Sequence, residues 1–145
     1  ADVAEAVDFC RYYARLAIEE LGPQKMGTLA GEDNRLFYVG RGPSVVIAPW
    51  NFPLAILCGM TTASLVAGNP TIMKPAEQSS TIAYALYQRM IKVGFDPRVV
   101  QFLPGKGEVV GAYLVNHSQM AQIAFTGSKS VGLQILKDAA VRQEG

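Results

Sequence analysis

An amide side chain fixed between two prolines is the first feature of this sequence with chemical potential: Asn51, in Ala48-Pro49-Trp50-Asn51-Phe52-Pro53. Proline sets its own φ and turns the preceding residue away from helix, so the turn is expected to be stiff. A rigid amide NH2 can stabilise an oxyanion in acyl-type chemistry. The same residues also suit a proline-rich turn whose asparagine bonds to nearby backbone. A second pair is Lys74 and Glu77, in Lys74-Pro75-Ala76-Glu77. Glutamate accepts from ribose hydroxyls and lysine donates to them. The alternative is a solvated pair at a helix entrance, with Glu77 favoured by the dipole. Gly105-Lys106-Gly107-Glu108-Val109-Val110-Gly111 reads G-x-G-x-x-x-G, one residue longer than the dinucleotide fingerprint. Its glycines suit a tight turn and helix cap equally well. Thr126-Gly127-Ser128 sits between a strand-like and a helix-like run, where bare N–H groups could hold a phosphate. Ser128 could instead be an ordinary N-cap.

These stretches need elements to bring them together. The largely apolar runs 44–48 and 71–74 read as strands covered on both faces, and 99–103 and 120–125 as two further strands. Apolar residues at helical spacing predict helices over 2–21, 54–67, 82–93, 108–115 and 129–140. Pro53 suits the first turn of the second helix and Gly68 its end. Residues 78–81 offer N-caps for the third, and Gly94 closes it. Residues 24–34 read as loop and 36–39 as a short strand. The alternation predicts an α/β fold: a parallel sheet with helices on both faces. Parallel strands put their carboxyl ends on one edge, so the four stretches can share a crevice there.

Composition sets limits. The chain has 145 residues, enough for one domain with a real core. Half are apolar and 17% are charged, a globular balance. A net charge of +1 with no basic run gives no electrostatic grip on nucleic acid. The apolar run 53–67 is short of a membrane span, and no signal peptide is expected. Cys10 and Cys58 sit in helical patterns without disulfide or metal spacing, which points to a reducing, cytoplasmic setting. His117 has no acid or nucleophile at motif spacing and reads as a solvent-side loop residue.

In their order, Val45 to Pro53 (VVIAPWNFP), Lys74 to Glu77 (KPAE), Leu103 to Gly111 (LPGKGEVVG) and Phe125 to Gly132 (FTGSKSVG) resemble the NAD(P)-dependent aldehyde dehydrogenase superfamily. Gly31-Glu32-Asp33-Asn34 before Phe37-Tyr38-Val39, and Gly107-Glu108 with Val110 to Val115, are most similar to its 1-pyrroline-5-carboxylate dehydrogenase branch. That domain also occurs fused to proline dehydrogenase in bifunctional proline-utilisation proteins. The resemblance implies a Rossmann-like cofactor domain over 1–145, incomplete, from a parent that oxidises L-glutamate 5-semialdehyde. It implies that Asn51 is the oxyanion-hole amide and that Lys74 and Glu77 hold the adenosine ribose. Ala48, Pro49 and Trp50 would line the cofactor cleft. Gly107, Gly111, Gly127 and Ser128 would serve the turn and pyrophosphate, with Phe125 and Val131 alongside. Glu77 would repel a 2′-phosphate, so NAD is the expected cofactor rather than NADP. A small aldehyde is the expected substrate, and the parent is expected to be a homo-oligomer.

The match also departs from the family. Its cysteine nucleophile and its glutamate base follow the FTGS helix, and the sequence reaches Gly145 before either. Neither Cys10 nor Cys58 matches the nucleophile, and Cys58 reads as an inert core thiol. The 145-residue chain is therefore expected to be inactive alone. Another aldehyde dehydrogenase specificity, or a stand-alone nucleotide-binding module, are the other readings.

Overall fold

A computed structural model describes residues 1–142; Gly145, where the sequence reading placed the end of the segment, lies outside the described residues. Helix α1 (Asp2–Glu20) leads to the two-residue strands β1 (Gln24–Lys25) and β2 (Arg35–Leu36). Then follow β3 (Ser44–Ile47), α2 (Ala55–Val66) and β4 (Thr71–Lys74). A single 3-10 turn, Glu77–Ser79, enters α3 (Ser80–Lys92), followed by β5 (Val100–Phe102). A π turn, Gly107–Gly111, enters α4 (Ala112–Asn116), and β6 (Gln122–Phe125) and α5 (Lys129–Ala140) complete the order.

The main sheet is parallel throughout, in the order β5-β4-β3-β6. The chain lays down β3, β4 and β5 in one direction, then returns to place β6 on the other side of β3. That reversal makes a topological switch point beside β3, the usual location of a ligand crevice in such sheets. Helices cover both faces, as the alternation predicts. On one face Val46, Met73 and Val100 pack with Leu57 of α2 and Ala83 and Met90 of α3. On the other, Val45 and Ile47 pack with Leu114 and Val115 of α4, with Ile135 of α5 against them. Val45, Val46, Met73 and Val100 have no exposed surface. Each such side chain contributes roughly 1.5–3 kcal/mol of burial.

Several boundaries differ from the sequence reading. Residues 36–39 are not a strand: only Leu36 pairs, and Phe37, Tyr38 and Val39 are exposed. The partner strand is Gln24–Lys25, within a stretch that reads as loop. This antiparallel pair is too short to leave a periodic signal. Local bonds close it, including Met26 N–H to Asn34 O at 2.8 Å. Pro53 lies two residues before α2 rather than in its first turn. Ser79 occupies the cap position of α3, but its hydroxyl donates to Ala76 O at 3.2 Å and caps nothing.

The start of α2 has no cap of its own. Asp2, at the start of α1, supplies one. Its carboxylate accepts Leu54 N–H at 3.2 Å and Ala55 N–H at 2.8 Å. The same charge lies in the first turn of α1. One carboxylate thus serves two helix N-termini and ties α1 to the turn that follows Asn51. Asp2→Ala is expected to lower unfolding stability by about 1 kcal/mol. Urea denaturation of the two chains measures it.

Candidate functional site

Register fixes the site's first row. Ile47 pairs with Lys74 on one side and with Phe125 on the other. These three residues therefore stand abreast at the carboxyl edge, and each strand runs straight into one of the stretches singled out above. Backbone bonds extend the row by one residue: Ala48 N–H donates to Lys74 O at 3.2 Å and Thr126 N–H to Ile47 O at 3.1 Å.

Lys74 is a charged group inside this edge, with 3% of its side chain exposed. Its Nζ donates to Pro75 O at 3.0 Å and stands 3.8 Å from Glu77 Oε2. Burial lowers its pKa below the usual lysine value, and the Glu77 charge offsets part of that. Between the lowered and the usual value the unfolded chain binds more protons than the folded one. Stability therefore rises as pH increases through that window. An ammonium has three donors, and the contacts of Lys74 do not use them all.

A cleft of about 390 Å³ opens at this edge, on the face covered by α4 and α5. Glu77, Gly107, Gly111 and Val131, all flagged by sequence, line it together. Gly107 has no packing reason to be glycine: a Cβ there would meet no protein atom within 4 Å. Gly111 stands over the lysine, where an added Cβ would lie 3.8 Å from Lys74 Cε. The expected helix over 108–115 begins instead as a π turn from Gly107 to Gly111. Its backbone is backed by Lys106 O, which accepts Val110 N–H at 2.9 Å. Gln134 and Asp138 also line the cleft, and sequence reasoning passed over both. The signal was available, since 131, 134, 135 and 138 share one helix face. Gln134 Nε2 donates to Asp138 Oδ1 at 2.7 Å.

The Phe125 to Ser128 stretch is organised by its own ring. A Cβ on Gly127 would fall 2.6 Å from the Phe125 ring, so the aromatic side chain occupies the space that glycine leaves. Ser128 is the N-cap of α5, with its Oγ accepting Val131 N–H at 3.4 Å. Of the two readings of Ser128, the cap geometry is present.

Asn51 is exposed, and its amide takes no hydrogen-bond partner among the described residues. The turn around it is constrained: Phe52, between Asn51 and Pro53, has a φ of 48°. A bulky residue in the left-handed region costs of order 1–3 kcal/mol. Ala48 is buried and Pro49 half-buried at the root of this turn. Trp50 lines a different cleft, of about 520 Å³, with Pro53 and the start of α3. Lys74, Asn51, Ala48, Pro49, Phe125, Gly127 and Ser128 line neither cleft. His117 lies beyond α4, before β6 begins, where its Nδ1 accepts Gln119 N–H at 3.2 Å. Among the described residues no cluster of His, Cys, Asp and Glu could hold a metal ion. No described helix is long and apolar enough to cross a membrane.

Comparison with known proteins bears on this arrangement. A 1-pyrroline-5-carboxylate dehydrogenase of Geobacillus sp. (strain WCH70) is 44% identical over 140 residues, covering 97% of this chain and 27% of the relative. The Oceanobacillus iheyensis protein of the same name is 43% identical, over 99% of this chain and 28% of its own length. The chain thus spans little more than a quarter of these relatives. Among solved structures, proline utilization A from Bdellovibrio bacteriovorus superposes with a TM-score of 0.95 at 56% identity, over 99% of this chain and 15% of that one. A 1-pyrroline-5-carboxylate dehydrogenase from Thermus with bound NAD superposes at 0.93 and 48% identity, over 99% of this chain and 28% of that one. The aldehyde dehydrogenase family model matches residues 1–144. With the sheet, its carboxyl-edge cleft and this match in agreement over the whole described chain, the chain belongs to the aldehyde dehydrogenase family.

Proposed function

We propose that this chain is the cofactor-binding part of an NAD-dependent dehydrogenase that oxidises L-glutamate 5-semialdehyde, derived from 1-pyrroline-5-carboxylate, to L-glutamate in proline degradation. The observation that carries the cofactor assignment is Gly107. It lines the carboxyl-edge cleft, its backbone φ is not left-handed, and a Cβ would meet no protein atom. Neither packing nor backbone conformation asks for glycine there, whereas close approach of a bound group does. The aldehyde and the pathway rest on what the relatives are called. Relatives include both the single dehydrogenase and proline utilization A, so the reading covers either parent.

The residues of this chain would hold and orient NAD, which when bound would supply the hydride acceptor for the substrate carbon. Glu77 would accept from the adenosine ribose hydroxyls and disfavour a 2′-phosphate by charge. Lys74 would donate to the same sugar, where its buried charge gains a partner. Backbone N–H groups around Gly107, Gly111, Gly127 and Ser128 would face the pyrophosphate, with Phe125 and Val131 against the cofactor. Ala48, Pro49 and Trp50 would line the approach to the nicotinamide. Asn51, with a free amide on a constrained turn, would steady the oxyanion during acyl chemistry. Exposed apolar side chains such as Ile18, Val39, Val93 and Val141 support burial of this segment against further protein in a larger, oligomeric parent. The two free thiols support a cytoplasmic setting.

Calorimetric titration tests the cofactor assignment. The chain is expected to bind NAD more tightly than NADP, and Glu77→Gln is expected to weaken NAD binding and narrow that gap. Gly107→Ala is expected to unfold at the same or a higher urea concentration while losing about tenfold in NAD affinity, or ~1.4 kcal/mol. NAD affinity unchanged by Gly107→Ala would remove the basis of the assignment. Lys74→Met should be at least as stable as the parent chain at neutral pH and should bind NAD less tightly. Its stability, followed by urea denaturation between neutral and alkaline pH, should lack the rise with pH that Lys74 contributes. In the longer enzyme, Asn51→Ala is expected to lower kcat roughly 10²–10³-fold with KM little changed.

A further inference from the structure

We propose that Cys10 and Cys58 are a reversible dithiol–disulfide pair that ties α1 covalently to α2. The two Sγ atoms stand 3.5 Å apart across 48 residues of sequence. Small residues make the contact possible. Ala6, Ala55 and Cys58 form the buried seam between the helices. At Gly59 the approach is so close that a Cβ would fall 2.9 Å from the Phe9 ring. A disulfide needs a separation of about 2.05 Å, so the sulfurs must close by roughly 1.5 Å. The side chain of Cys10 is exposed.

The two thiols are chemically unequal, and the inequality sets an order of events. Cys10 is exposed, so a solution oxidant reaches it. Cys58 is buried; burial, then the neighbouring Cys10, pushes its thiol up to about 12. It is shielded from solution oxidants and faces the Cys10 sulfur. With a low-molecular-weight disulfide as oxidant, the Cys10 thiolate attacks one sulfur and the oxidant's S–S bond breaks. One small thiolate leaves and takes up a proton from water. The Cys58 sulfur then attacks Cys10 Sγ, the mixed disulfide breaks, and the departing second small thiolate takes up the Cys58 proton. Two protein thiols are oxidised by two electrons, and one disulfide is reduced to two thiols. The new bond holds α1, and with it the Asp2 carboxylate, on the start of α2.

Glutathione disulfide serves as the probe, read by intact mass and peptide mapping of the 145-residue chain. The native sequence is expected to lose two hydrogens, to yield linked Cys10 and Cys58 peptides, and to return to the dithiol with dithiothreitol. Cys58→Ser should retain one glutathione on Cys10, and Cys10→Ser should remain unmodified. If Cys58→Ser loses its far-UV circular dichroism spectrum, Cys58→Ala replaces it. Three results would overturn the proposal: glutathione persisting on Cys10 in the native sequence, Cys10 failing to react in any variant, or linkage formed only in urea.

Discussion

The site depends on β3. This strand is hydrogen-bonded along both edges and covered on both faces, so its register fixes its neighbours in every direction. Pairing Ile47 with both Lys74 and Phe125 places three loops at one level of one edge. No loop needs to search for the others. The reversal of strand order beside β3 then parts the connections and leaves the cleft between α4 and α5. A one-residue slip of β3 would send Val45 and Ile47 to the face now held by Val46, and the cleft would lose its floor.

Glycine and lysine at this edge illustrate how differently one site can use its residues. Gly127 is small because the Phe125 ring lies over it, which is a packing reason internal to the protein. Gly107 is small with nothing over it, and the proposed cofactor would fill that space. Lys74 runs against stability: a buried ammonium at neutral pH costs free energy that a partly exposed carboxylate at 3.8 Å does not fully return. The proposed contact with the ribose would give this charge the partner it lacks.

Much of this was legible in the sequence, for identifiable reasons. The strands β3, β4 and β6 are short, largely apolar runs, each ending at proline, glycine or a polar turn, too short for helices and alternating with helical spacing. The helices declared themselves by spacing. The motif stretches drew attention because glycine, proline and charge cluster where apolar runs stop. What escaped was whatever depends on distant contact. The β1–β2 pair is two residues long on each side and has no periodicity to detect. The cap of α2 comes from Asp2, more than fifty residues away. Cys10 and Cys58 have unremarkable spacing and meet only because α1 crosses α2 at Gly59. The α5 wall of the cleft was half seen: Val131 was flagged, while Gln134 and Asp138 on the same face were not.

Amide hydrogen exchange with and without NAD locates any cofactor contact along the chain. A carboxyl-edge cofactor site should slow exchange in three separated segments, 74–79, 107–111 and 126–131, with α1 and the β1–β2 pair unchanged. Protection absent from those segments, or concentrated instead between α1 and α3, would contradict it.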